Sequence, residues 1–277
     1  MMGAPAAAGV IALKPTAYAK SRLEVADPLR RRLAWTMAVD TLSALAKALP
    51  HVLVVSDQPG LEAQLRRSGL AVEVISESGH VGINSALSRG AKTLQGQGFT
   101  TVLACVGDLP ALRPDSVLRV LDASQAHRRS FVADASGVGT TILIAHRVEL
   151  APQFQGRSAA AHHASGAVSL SGEAIGSPVA DARCDVDTEA DLAVAVGLGV
   201  GTATGALVDH GTGRLGHYEL ITATQWRSAD GDQLAVTSAG RRIALPAKAL
   251  GAELRHARVG QRLHSVAAEG RVLSAWL

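Results

Sequence analysis

The sequence is poor in cysteine and in aromatic residues: it has two Cys among 277 residues, and Phe, Trp and Tyr make up 3%. Cys105 and Cys184 each lie inside an apolar stretch, so we expect reduced core thiols rather than a disulfide or a metal pair. No group of Cys and His has the spacing of a zinc site.

No uninterrupted apolar run approaches the roughly 18 residues that cross a bilayer. The N-terminus also lacks the basic segment of a signal peptide. We therefore predict a cytoplasmic protein that does not enter the membrane.

Two glycine-rich nucleotide-binding motifs are also absent. No G-x-x-x-x-G-K-[ST] occurs, which excludes the P-loop kinases, and no G-x-G-x-x-G follows the first predicted strand, which excludes the dinucleotide-binding oxidoreductases. If the chain binds phosphate groups, it must do so with other residues.

The formal charge of +3 is unevenly distributed along the chain. Basic and acidic residues balance up to Leu207, and the whole excess of positive charge lies beyond it. Residues 208–277 also change pattern, to short alternating runs separated by turn signals, which is typical of a small all-β domain. We predict two domains, residues 1–207 and residues 208–277.

The first domain alternates short Val-, Ile- and Leu-rich runs with segments of helical period. This pattern predicts an α/β fold with a parallel sheet covered on both faces. Farther along, "SFVADASGVGTTILIAH" predicts two strands joined by a Gly-rich turn. "RCDVDTEADLAVAVGLG" predicts a strand that enters a helix capped by Thr188 and Asp191. In open sheets of this class ligands bind at the carboxyl ends of the strands.

Three cations follow the first predicted strand, in "KPTAYAKSRL": Lys14, Lys20 and Arg22. They form either a solvated basic loop or an anion site. The carboxylates favour the second alternative. Asp108 follows the apolar run "TVLACVG", and a second acidic cluster, "CDVD", contains Asp185 and Asp187.

Residues two apart in a strand share a face, so Asp185 and Asp187 are expected to point the same way. Two carboxylates with apolar flanks need a compensating cation, and Mg²⁺ suits hard oxygen ligands together with phosphate. A carboxylate site beside a cationic loop predicts phosphoryl or nucleotidyl transfer. Two structural alternatives stay open. In the first, Asp108 is only a turn former; in the second, Asp187 only starts the next helix, which leaves Asp185 the better ligand.

Six segments, taken in order, resemble one enzyme family: "KPTAYAKSRL", "GINSAL", "CVGDLPAL", "RRSFVADASGVGTTIL", "GRSAAAHHASGA" and "RCDVDTEADL". The family is the 2-phospho-L-lactate or phosphoenolpyruvate guanylyltransferases of coenzyme F-420 biosynthesis, in the actinobacterial form, and the resemblance spans about Val10 to Thr204. It implies a Rossmann-like αβα sandwich of the glycosyltransferase-A nucleotidyltransferase type. It also implies a Mg²⁺-dependent reaction of GTP with a phosphorylated three-carbon acid, releasing pyrophosphate.

The resemblance also implies residue roles. Lys14, Lys20 and Arg22 would act on the triphosphate, and Asp108 and Asp185 would hold the metal. The remaining assignments are Leu13, Asp57 and Asn84 near the nucleotide and Thr140, Gly156 and Ser158 at the acceptor.

Alternatives remain at this level. A related nucleotidyltransferase could act on 3-phosphoglycerate, a sugar phosphate or molybdopterin, although those for sugar phosphate or molybdopterin commonly open with a Gly-rich loop that this chain lacks. The C-terminal domain has the turn spacing of OB or cold-shock barrels, which bind single strands by aromatic stacking. Its Tyr218, Trp226 and Trp276 are dispersed, so we favour packing or homodimer formation over nucleic-acid binding.

Overall fold

The computed structural model describes residues 7–14, 23–77, 79, 82–225, 232–254 and 256–277. The strands of the first domain are β1 Ala7–Ala12, β2 Val52–Val55, β3 Glu73–Ile75, β4 Thr101–Cys105, β5 Arg129–Ala133, β6 Thr140–His146 and β7 Val168–Ser169. Its helices are α1 Asp27–Ala48, α2 Leu61–Arg67, α3 Ile83–Gly96, α4 Pro114–Ser124, α5 Ser158–Ala164, α6 Gly172–Ile175, α7 Ala180–Arg183, α8 Glu189–Leu198 and α9 Thr202–Gly205. Within the described ranges, none of the helices combines the length and the hydropathy that a membrane span requires.

The sheet of the first domain has the strand order β3-β2-β1-β4-β6-β5-β7. Strands β1 to β4 are mutually parallel, as predicted. Strand β6 runs antiparallel to both β4 and β5, because β5 and β6 form a hairpin whose second strand inserts beside β4. The reversal places the start of β6 at the edge where β4 and β5 end.

Helices cover both faces of the sheet, which explains the continuous apolar runs. Successive strand residues point to opposite faces. Ile11 and Leu103 pack on the side of α1 and α4, whereas Val10 and Val102 pack on the side of α3. Helix α3 lies so close that a Cβ at Gly90 would be 2.5 Å from a methyl group of Val10. This helix therefore needs glycine at its contact with the sheet.

The C-terminal region is a closed barrel. A short hairpin, β8 Val208–Asp209 and β9 Arg214–Leu215, precedes it, and the predicted division after Leu207 falls between α9 and this hairpin. The barrel strands are β10 His217–Ala223, β11 Gln233–Thr237, β12 Arg242–Leu245, β13 Arg262–Ala268 and β14 Arg271–Trp276. Their order is β10-β11-β12-β14-β13, with β12 and β14 parallel, which matches the five-stranded Greek-key barrel of the OB type.

The barrel packs against α1. Val266 and Trp276 share a buried cluster with Leu33 and Met37 of that helix. Arg32, also on α1, pairs with Glu253 at 3.3 Å, and its guanidinium carbon lies 5.4 Å from the centroid of a Trp276 ring. The first helix after the cationic loop is therefore supported by the C-terminal barrel.

Two local predictions have different outcomes. The predicted strand at "RCDVD" is wrong: α7 ends at Arg183, and Cys184 begins an irregular segment joined to its neighbours by isolated hydrogen bonds. The predicted helix start is confirmed, since Thr188 and Asp191 form a reciprocal capping box on α8.

The prediction that both cysteines lie in the core is also confirmed. Both thiols are buried and reduced. Burial raises the pKa of the Cys184 thiol to about 11 and that of Cys105 further still, so both stay protonated at neutral pH.

Candidate active site

The polar residues that follow the strands meet at one edge of the sheet. This follows from the topology, because β1 to β5 all end there and β6 begins there. The residues at this edge are Leu13 and Lys14 after β1, Asp57 after β2, Glu77 after β3, Asp108 after β4, Asp134 after β5 and Thr140 at the start of β6.

Asp108 and Asp185 are brought together at this edge. The Val186 N–H donates to the Asp108 carbonyl oxygen at 3.1 Å, and the Val186 side chain is fully buried. Burial, together with the negative charges of Asp108 and Asp134, raises the pKa of Asp185 to about 7. Two carboxylates from separate chain segments therefore share one electrostatic environment.

Asp134 also belongs to this edge, although sequence reasoning missed it. Its Oδ1 accepts hydrogen bonds from Val138 N and Ser136 Oγ, and its Oδ2 accepts one from Gly139 N, each at 2.9 Å. A Cβ at Gly139 would lie 2.6 Å from that Oδ2, so the turn requires glycine. The amides of Val138 and Gly139 in this Gly-rich turn therefore bind Asp134.

Asp108 and Asp185 would fit a metal ion whose remaining ligands come from substrate and water. Among the residues that the structure describes, no three His, Cys, Asp or Glu side chains are placed to hold a metal ion by themselves. Mg²⁺ usually takes one or two carboxylates plus phosphate oxygens and waters. Asp108 and Asp185 can supply the two carboxylates. A cation there would relieve the repulsion that raises the pKa of Asp185.

A pocket of 220 Å³ lies beside Asp108, and it contains Leu13 and Lys14 as well. Trp35 supplies part of its apolar wall, and Glu77 and Gln155 contribute polar groups. Gly107 keeps the wall open, because a Cβ there would lie 2.8 Å from a Leu13 methyl group. The pocket thus combines an apolar wall, a cation and a carboxylate, which suits a nucleotide.

Asp57 lies next to this pocket rather than in its lining. Its Oδ1 accepts hydrogen bonds from Ser76 Oγ at 2.6 Å and from Glu77 N at 2.8 Å. The following residue, Gln58, does line the pocket. Asp57 therefore fixes the ends of β2 and β3 relative to each other and holds the backbone of Glu77.

Asn84, in the first turn of α3, is engaged at both ends of its amide. Its Nδ2 donates to Phe154 O at 3.0 Å, and its Oδ1 accepts from Phe154 N at 2.7 Å. The preceding residue, Ile83, lines the pocket. Asn84 thus binds the loop that leads to α5, and its proximity to a nucleotide stays a prediction.

Thr140 and Ser158 are both buried, and His162 connects them. Thr140 Oγ1 lies 2.9 Å from His162 Nδ1, and the backbone of Ser158 also bonds to this imidazole. Gln153 N donates to His162 Nε2 at 2.8 Å. Because that N–H can only donate, Nε2 is the acceptor, and the neutral ring donates from Nδ1.

The environment keeps His162 neutral. Burial lowers its pKa to about 4, and the nearby charge of Arg129 contributes to the decrease. By contrast, the adjacent His163 is exposed. His162 therefore contacts two of the residues predicted for the acceptor, Thr140 and Ser158.

Gln155 and Gly156 both have a positive φ, of 92° and 58° respectively. Glycine adopts this conformation readily, but a non-glycine residue there costs about 1–3 kcal/mol. No feature of the sequence around Gln155 indicated this, because its conformation is set by hydrogen bonds from residues distant in the chain. Two predicted cations, Lys20 and Arg22, lie outside the described residues.

Comparison with known proteins agrees with this arrangement. Residues 27–174 match the MobA-like NTP transferase domain. The chain is 38% identical over 214 residues to a phosphoenolpyruvate guanylyltransferase of Mycolicibacterium paratuberculosis, covering 74% of this chain and 94% of the relative. It is 41% identical over 203 residues to a protein of the same name from Thermomonospora curvata, covering 72% and 86%.

The fold is shared with more distant structures. A crystal structure of a candidate nucleotide-diphospho-sugar transferase from Desulfovibrio desulfuricans G20 superposes with a TM-score of 0.51 at 15% identity, covering 68% of this chain and 85% of the other. The expected nucleotidyltransferase fold is therefore confirmed, together with the additional all-β barrel.

Proposed function

We propose, from the premise that this chain belongs to the phosphoenolpyruvate guanylyltransferase family and is a nucleotidyltransferase, that it transfers GMP from GTP to phosphoenolpyruvate and releases pyrophosphate. The observation that carries the proposal is the pairing of Asp108 with Asp185 beside a pocket that holds Lys14.

The nucleotide would occupy the pocket beside Asp108. Its base would lie against the apolar wall, and Lys14 would neutralise part of the triphosphate charge. Asp108 and Asp185 would hold Mg²⁺, which supplies charge stabilisation to the departing pyrophosphate. Lys20 and Arg22 are proposed to act on the same phosphates.

The acceptor would lie near Thr140, Gly156 and Ser158. An oxygen of its phosphate attacks the α-phosphorus of GTP, a new P–O bond forms, and the bond to the bridging oxygen of pyrophosphate breaks. No protein nucleophile is needed, because holding the two substrates in line converts the encounter into an intramolecular step. His162 supports this step by donating its Nδ1 proton to Thr140, which leaves the Thr140 hydroxyl hydrogen to bind an anion.

The resemblance described above supports a place in coenzyme F-420 biosynthesis and a cytoplasmic location. The structure offers little support for nucleic-acid binding by the barrel. The His264 ring stacks on those of Tyr218 and Trp276, and Arg32 of α1 covers Trp276. These described aromatic side chains are therefore engaged inside the molecule.

The proposal is tested by measuring pyrophosphate release with GTP and Mg²⁺ in the presence of phosphoenolpyruvate, 2-phospho-L-lactate or 3-phosphoglycerate. We expect the highest kcat/KM with phosphoenolpyruvate, and a strong decrease when ATP, CTP or UTP replaces GTP. Release with none of the acceptors would reject the proposal. Preference for 2-phospho-L-lactate or 3-phosphoglycerate would retain the reaction class and change the substrate.

A further inference from the structure

Gln155 occupies an unusual position in the pocket. Its side chain is exposed and contributes to the lining beside Lys14 and Asp108. Within the described ranges, the side-chain amide makes no hydrogen bond, although its backbone has the strained φ of 92°. Observed strain at a site often marks a function, because the surrounding structure must enforce it.

The strained backbone at Gln155 follows two residues that are held by neighbouring helices. Asn84 holds the N–H and the carbonyl of Phe154, and His162 holds the N–H of Gln153. These three hydrogen bonds come from α3 and α5, which both pack on the same sheet. The two residues before Gln155 are therefore fixed, and the amide is presented from a rigid support.

The neighbours of Gln155 indicate what it contacts. It shares a pocket with Lys14 and Asp108, which the proposed function gives to the triphosphate and the metal. It directly precedes Gly156, which the proposed function gives to the acceptor. A carboxamide carries two N–H donors and no charge, so it can orient a phosphate oxygen without competing with the cations for charge.

We propose that Gln155 is a substrate-contacting residue whose amide donates to a phosphate oxygen where the acceptor meets the α-phosphorus of GTP. This inference rests on the proposed function. The contact is made fully only when the two substrates are in line, so its loss acts mainly on kcat. Removing one such donor is expected to lower kcat by about 10- to 100-fold, with smaller changes in KM for either substrate.

The chain offers a matched control. Gln153 is the same residue type in the same loop and is exposed, and among the described residues its hydrogen bond is the one from its backbone N–H to His162. We expect Gln153→Ala to keep turnover within about threefold of the wild type, whereas Gln155→Ala loses about 10- to 100-fold. Gln155→Glu keeps the shape but exchanges the donors for a negative charge, so it should lose more than Gln155→Ala.

Gln155→Gly separates the side chain from the backbone. Glycine tolerates the positive φ, so this variant should fold at least as stably as the wild type by thermal unfolding, yet lose as much kcat as Gln155→Ala. If the wild type is active and Gln155→Gly keeps the same kcat, the side-chain amide is not needed for turnover. This result would overturn the inference.

Equal kcat for Gln155→Ala and Gln153→Ala, with the wild type active, would also overturn the inference and leave the proposed function intact. A wild-type protein that releases no pyrophosphate with any acceptor would reject both.

Discussion

The backbone N–H of Val186 donates to the carbonyl oxygen of Asp108, at 3.1 Å. Through this hydrogen bond the segment after α7 is attached to the end of β4. Asp185, which precedes Val186, is thereby placed where the charge of Asp108 raises its pKa. One main-chain contact thus unites two carboxylates that are distant in the sequence.

Asn84 should affect turnover through the loop it holds. Asn84→Ala removes both hydrogen bonds to Phe154, so we expect kcat/KM to fall by about tenfold and stability by about 1–2 kcal/mol. Gln95→Ala is the matched control, because Gln95 on the same helix donates to Val148 O at 2.8 Å, in a contact that does not involve the pocket lining. Steady-state kinetics and urea unfolding measure both quantities. An Asn84→Ala enzyme as active as Gln95→Ala would contradict this role.

His162 should make the protein sensitive to acid. Its folded-state pKa is about 4, below its ordinary value of 6.5, so the unfolded chain binds more protons between these values. The contribution of His162 to the free energy of unfolding is therefore fully present above about pH 6.5. It falls by about 3 kcal/mol as the pH decreases toward 4.

The variant His162→Gln does not titrate, so its stability should depend less on pH in that window. His163→Gln, at the exposed neighbouring position, should retain the wild-type slope. Chemical unfolding at several pH values from 4 to 7 measures the slopes. Identical slopes for the wild type and His162→Gln would show that His162 is not buried in its neutral form.

Arg32 should connect the barrel to the nucleotidyltransferase domain. Arg32→Ala removes the ion pair with Glu253 and the contact with Trp276, so we expect a loss of about 1–2 kcal/mol in stability. Arg31→Ala is the control, since Arg31 is exposed and pairs with Asp27 on its own helix. Thermal unfolding followed by tryptophan fluorescence compares them. Equal midpoints for the two variants would mean that Arg32 contributes nothing to the domain contact.

Much of the fold could be predicted from the sequence, and the limits have physical reasons. The strands β1 to β4 are buried on both faces, so each is a continuous apolar run that identifies it. The insertion of β6 between β4 and β5 could not be predicted, because an apolar run such as "TTILIA" carries no information about which strand it pairs with. The segment at Asp185 was misread because Cys184 and Val186 are both buried, an alternation that a strand also shows.

The site was predictable to the extent that it follows strand ends. Asp108 and Lys14 follow strands directly, and the topology alone brings them to one edge. The role of Asp134 could have been predicted, because an Asp at the start of a turn that ends in Gly139 commonly accepts hydrogen bonds from the backbone of that turn. Gln155 could not, because its position depends on Asn84 and His162, whose contacts with the loop are invisible in the sequence.

The most direct test of the account is the Mg²⁺-dependent binding of GTP to Asp108→Asn and Asp185→Asn, measured by calorimetry with and without the ion. We predict that Mg²⁺ strengthens GTP binding to the wild type. Each substitution should reduce the ratio of GTP affinities with and without Mg²⁺ by at least about tenfold. Asp187→Asn, which alters the neighbouring carboxylate, should retain most of the gain. Wild-type Mg²⁺ dependence in both Asp108→Asn and Asp185→Asn would contradict the claim that these two residues hold the ion.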